Sequence, residues 1–135
     1  MTRYVTLAEY FWLSEQVTGV DADTLAKASR SDLADSALHA SQAGFGDVEF
    51  FPDVYDKAAV LVCRLAWNHP LPDGNKRAAW AALVMFIDLN HGTWDPDPPD
   101  IGQAEEAMLA IAAGEVAETW TAAWLKERVR FVDRG

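Results

Sequence analysis

The sequence predicts an all-α fold, a compact bundle of helices around a central helix-loop-helix, with a short extended flap before it. Three observations lead there. Apolar residues recur at helical spacing in several segments, capping residues or glycines mark the ends of those segments, and only one brief stretch alternates with the period of a strand. Half of the 135 residues are apolar, and six Trp with six Phe supply large side chains, so a single domain over residues 1–135 with an ordinary core is expected.

Thr6-Leu7-Ala8-Glu9 has the spacing of a capping box, in which each side chain satisfies an orphan backbone N–H. Apolar residues follow to Gly19, which places a first helix at about 7–18. The segment from Asp23 to Arg30 is short and weakly periodic, whereas Asp32 to Gln42 puts Leu33, Ala34, Ala37, Leu38 and Ser41 on one helical face. From Ala43 to Pro52, two glycines give turn freedom and Val48 alternates with Phe50, which reads as an exposed loop or small hairpin. Its phenylalanines either anchor the loop to the core or grip a substrate, and the sequence leaves both open.

Pro52-Asp53 opens a helix that carries Val54, Ala58, Leu61, Val62, Leu65 and Ala66 on one side until roughly Asn68. After a tight loop, Lys76 to Asn90 is apolar nearly all round and stops at His91-Gly92, so this helix is expected to be central and buried. Three prolines between Trp94 and Asp100 prevent a helix there. Asp100 with Gln103 caps a helix to about Ala113, and Gly114 breaks the chain. A last helix is expected from Glu115 to Arg130, with Val116, Trp120, Ala123, Trp124 and Leu125 inward.

The balance of 21 acidic against 11 basic residues gives a net charge of -10, which repels phosphate backbones and argues against nucleic acid as a direct partner. Three histidines and a lone cysteine, Cys63, have neither zinc-type spacing nor a disulfide framework. The first residues lack the apolar stretch of a signal peptide, and the longest apolar run, Ala78 to Ile87, is too short to span a bilayer. A cytoplasmic location without membrane contact is the expectation.

Chemistry concentrates in His69-Pro70-Leu71-Pro72-Asp73-Gly74-Asn75-Lys76-Arg77, which holds a histidine, a carboxylate, an amide and two cations within nine residues. The prolines and Gly74 fix a compact loop, and the helix that follows begins with unpaired backbone N–H groups of partial positive charge. Such a helix end binds anions. Gly74 lets the backbone approach an anion, Asn75 can donate from its amide, and Lys76 and Arg77 add full charges. His69 is the candidate base for a hydroxyl that attacks phosphorus, and Asp73 is the candidate oxygen ligand for a magnesium ion on nucleotide phosphates. Each residue alone has a bland reading as turn, terminator or solvated charge; the cluster does not.

The cluster resembles the signature of the Fic/Doc family, His-x-Phe-x-Asp/Glu-Gly-Asn-x-Arg, matched here by His69, Asp73, Gly74, Asn75 and Arg77. Lys76 stands where adenylylating Fic enzymes carry a second Gly, which resembles the Doc branch, the toxins of toxin–antitoxin pairs. The stretches Ala37-Leu38-His39 to Phe51-Pro52 and Trp124-Leu125 look Doc-like as well. The resemblance implies a Fic/Doc-type helical bundle in which His69 activates or orients the target hydroxyl, Asp73 holds Mg2+, and Gly74, Asn75, Lys76 and Arg77 cradle the phosphates of ATP. It also implies transfer of the γ-phosphate to a protein substrate, the translation factor elongation factor Tu, and restraint by a Phd-like antitoxin; Phe45 and Phe50 either help receive that partner or simply anchor to the core. The chain lacks the Ser/Thr-x-x-x-Glu-Gly/Asn pattern of an internal inhibitory helix. AMP transfer, or a catalytically silent binding module on the same fold, are the rival readings. Leu71 replaces the usual Phe and keeps a smaller apolar anchor. His39, His91, Cys63, Trp67 and Trp80 read as structural residues.

Overall fold

The computed structural model describes residues 1–132. Seven helices and two short two-stranded ribbons follow one another along these residues. Helix α1 spans Leu7–Thr18 and opens on the expected capping box, with Glu9 N donating to Thr6 Oγ1 at 3.1 Å and Thr6 N to Glu9 Oε1 at 2.9 Å. Helix α2, Ala22–Ala28, lies where periodicity gave no assignment; Asp21 caps it, and Glu15 of α1 accepts a 2.8 Å bond from Ala22 N. Helix α3 covers Ser31–Ala40 and turns Ala34, Ala37 and Leu38 inward as expected.

The flap is a hairpin of β1, Gly44–Phe45, and β2, Val48–Glu49, which pair antiparallel with Phe45 opposite Val48. Asp53 then caps α4, Val54–Asn68, whose residues 57–63, 65 and 66 are all buried. This helix is the axis of the fold, with α3, α5 (Asn75–Leu89), α6 (Ile101–Ala112) and α7 (Glu118–Lys126) packed around it. Its one buried charge, Lys57, donates to Glu49 Oε1 at 2.9 Å and to Ser41 O at 3.2 Å, and so ties the foot of the flap to the core.

Two expectations require correction. Helix α5 is only half enclosed: Ala78, Ala79, Ala82, Leu83, Phe86 and Ile87 are buried, while Trp80, Ala81 and Val84 wall an open groove. An apolar circumference served two neighbours, the core and that groove. The last helix is also shorter than Glu115 to Arg130. It begins at Glu118 because Gly114, in the left-handed region, and Glu115, whose N–H bonds Ala110 O at 3.0 Å, still belong to the turn that closes α6. Its inward residues are Thr121, Ala122 and Leu125, so Trp120 and Ala123 face solvent, whereas Val116 and Trp124 are part-buried against the core.

Beyond α7 the chain becomes β4, Val129–Phe131, antiparallel to β3, Gly92–Trp94. Tyr55 Oη donates to Val129 O at 2.8 Å and the Tyr55 ring meets Phe131 edge-on at 5.1 Å, so α4 holds the ribbon in place. Trp80, Trp94 and Trp124 form one aromatic cluster, with centroids 5.3 to 6.4 Å apart, that joins α5, β3 and α7. Among the described residues no helix is long and apolar enough to cross a membrane.

Candidate active site

The central helices are joined by residues 69–74, and the loop is held from within and from outside. His69 ends α4 in the left-handed region, with φ 47° and ψ 56°, a conformation rare for a residue with a side chain. Pro70 and Leu71 behind it are buried, so Leu71 does serve as the apolar anchor. Asn75 folds its amide back across the loop, accepting from Leu71 N at 2.9 Å and donating to Leu71 O at 3.0 Å. Gly74 caps α5 at φ 79°, and a Cβ there would stand 2.7 Å from Cγ2 of Thr18. Both the backbone angle and the space demand glycine.

The start of α5 has no side-chain cap and no acidic residue in its first turn, so the N–H groups of its first residues face outward with the positive end of the helix dipole. Lys76 and Arg77 are exposed beside it, and among the described residues neither has an ion-pair or hydrogen-bond partner. His69 and Asp73 are exposed on the same loop. Thus all six expected residues, His69, Asp73, Gly74, Asn75, Lys76 and Arg77, sit on one loop and the helix start that follows it. Within this group, Asn75 differs from the expectation in one respect: its side chain braces the loop, and its backbone N–H is what it offers an anion.

Sequence reasoning missed two parts. Arg30, just before α3, donates from Nη2 to His69 O and from its backbone N to Pro70 O at 2.9 Å. No local pattern marks a residue 39 positions away as part of the loop. The second is the groove of about 870 Å³ between α1, α5 and α6. Trp80 and Val84 form one wall, Ile101, Met108 and Leu109 the other, and Lys76 with Arg77 stand among the residues that line it.

The remaining residues fall largely as structural. His39 pairs with Asp35 on its own helix, at 2.9 Å to the backbone oxygen, and His91 terminates α5 in the left-handed region. Trp67 donates to Ile111 O at 2.7 Å, tying α4 to α6. Cys63 is fully buried beside Thr121, and burial pushes its thiol up to about 11. Phe45 and Phe50, by contrast, are 83% and 60% exposed, so neither anchors the flap to the core. No group of three or more His, Cys, Asp or Glu side chains arranged for a metal exists among the described residues.

The model of the Fic/DOC family matches residues 5–87, from just before α1 to the last turn of α5, and so includes the loop. A protein named Toxin Doc, from Mycolicibacterium smegmatis (strain ATCC 700084 / mc(2)155), is 42% identical over 80 residues. That stretch covers 59% of this chain and 61% of the relative's length.

Proposed function

From the premise that this chain belongs to the Fic/DOC family, we propose that it is a toxin of the Doc kind that passes the γ-phosphate of ATP to a hydroxyl of a protein substrate. The substrate class is a translation factor, with elongation factor Tu the first to test, and the outcome is arrest of translation. The observation that carries this reading is the uncapped start of α5, with unpartnered Lys76 and Arg77 beside it, in the same nine-residue segment as His69. In an acidic protein such a concentration of donors and cations has a polyphosphate as its natural ligand.

His69 takes the proton from the target hydroxyl while that oxygen forms its bond to the γ-phosphorus, the bridging P–O bond breaks, and ADP leaves. The N–H groups of α5, Lys76 and Arg77 hold the phosphates in line and offset the charge that accumulates. Asp73 is a single exposed carboxylate, unsuited to hold a metal by itself but suited to a magnesium ion that arrives on nucleotide phosphates. When bound, that ion neutralises phosphate oxygens. Lys76 supports γ- over α-phosphate transfer, since a long cation occupies the place of the second Gly of adenylylating relatives.

A toxin of this kind has an antitoxin, and a Phd-like tail is the proposed partner. The groove between α1, α5 and α6 is the surface that favours it: an amphipathic segment would bury its apolar side against Trp80, Val84 and Leu109, with an acidic residue near Lys76 and Arg77. The exposed Phe45 and Phe50 extend the apolar surface available on the flap.

The test is incubation with elongation factor Tu and ATP labelled at the α or the γ phosphate, with His69→Ala as control. Transfer of γ label alone, lost in the variant, is expected. Transfer of α label would make the chain an adenylyltransferase, and no transfer of either label would favour a silent binding module.

A further inference from the structure

Three successive carbonyls at the start of the loop are each taken by a donor: His69 O by the Arg30 side chain, Pro70 O by the Arg30 backbone N–H, and Leu71 O by Asn75 Nδ2. Asn75 adjoins the loop in sequence, as the first residue of α5. Arg30 does not; it stands at the N-cap of α3 with φ -87° and ψ 84°, and brings two of the three donors from a separate helix. The same helix is fastened again at the last residue of α4, just before the loop, where Asn68 Nδ2 donates to Leu33 O at 3.0 Å.

His69 needs this support. Its left-handed backbone sets where the imidazole leaves the chain, and L residues leave that region readily for the broader extended or right-handed ones. A left-handed residue with a side chain persists where its surroundings over-determine it. The backbone oxygen of that very residue is what the guanidinium grips. Arg30 makes no ion pair among the described residues, and its guanidinium hydrogen-bonds the loop.

We propose that Arg30 is a positioning residue for the transfer reaction: by bonding His69 O and Pro70 O it holds His69 in the left-handed turn that aims the imidazole at the target hydroxyl. This rests on the role given to His69 above. The effect runs through geometry alone, so Arg30 governs the rate of the bound complex and leaves nucleotide affinity to the start of α5.

The experiment compares the full chain with Arg30→Ala, Arg30→Lys and His69→Ala, by kinetics and by NMR of the His69 backbone and ring. In Arg30→Ala the His69 Cα and Cβ shifts are expected to move away from left-handed values, kcat to fall about 100-fold, and KM for ATP to stay unchanged. Arg30→Lys, which keeps one charged donor, should recover part of both signals, and it decides the matter if Arg30→Ala does not fold. Unchanged His69 shifts in the folded Arg30 variants would overturn the inference. So would a parental kcat in Arg30→Ala while His69→Ala is inactive. A fully active His69→Ala would instead overturn the base assignment, and with it the catalytic meaning of the Arg30 contact.

Discussion

Gly74 stands where α5 passes the end of α1, and a Cβ there would meet Thr18 Cγ2 at 2.7 Å. Gly74→Ala therefore combines a positive φ with a steric conflict, and a loss of about 2 kcal/mol in urea unfolding is expected. Thr18→Ser removes the methyl but keeps the hydroxyl that donates to Ser14 O at 2.7 Å. In the double variant only the steric share returns; recovery of nothing would mean the contact with Thr18 is not what excludes a side chain. A second residue-scale expectation concerns Cys63, whose thiol burial raises from an ordinary 9.0 to about 11. A proton held more tightly in the folded chain contributes fully below pH 9 and is given up as pH climbs toward 11, a loss on the order of 2 kcal/mol. Cys63→Ala should flatten this part of the stability profile. Lys57 runs the same way at higher pH: burial lowers its affinity for the proton, but the neighbouring Tyr4 and Glu49 outweigh that and hold it above 10.5.

At the scale of elements, the open end of α5 predicts that anions stabilise the protein. Inorganic phosphate at 100 times its Kd adds about 2.7 kcal/mol if it binds only the folded chain. A rise in Tm with phosphate, at matched ionic strength, is expected for the parent and a smaller one for Lys76→Ala and Arg77→Ala; an equal rise in all three would detach the effect from these cations. The cap of α1 and the loop were legible in the sequence because their signals are local. Thr6 and Glu9 lie three apart, and His69 to Arg77 is contiguous. The ribbon of β3 and β4 was not, since Trp94 finds Val129 across 35 residues and no spacing rule links them. Helix α2 failed for another reason: seven residues carry too few turns for a period to emerge. Arg30 belongs with the ribbon, as a partner that only tertiary structure supplies.

For the whole molecule, a net charge of -10 surrounds the exposed cationic pair Lys76 and Arg77 at the groove. A partner segment with its own acidic residue gains locally there and is repelled by most of the remaining surface, which favours a single register. Ile101 and Leu109 on the groove's far wall are 75% and 59% exposed, so charging them has little cost to the fold. Ile101→Asp with Leu109→Asp is expected to weaken binding of the proposed antitoxin tail at least about tenfold by calorimetry, as loss of apolar anchors does, while Tm stays near that of the parent. Retained affinity would move the partner to another surface, with the flap carrying Phe45 and Phe50 the next to examine. The overall reading of one apolar helix in a buried centre was too simple because composition cannot distinguish a core neighbour from a future guest.

The tryptophan cluster has a practical consequence of its own. Trp80 faces the groove and packs within 5.3 Å of Trp94 and 6.4 Å of Trp124. Indole emission depends on local polarity and on exchange of excitation between close rings, so a guest that displaces water from Trp80 alters the glow of the trio. The protein thus carries an unlabelled optical reporter on its own groove, and Trp80→Phe supplies the blank against which occupancy can be read.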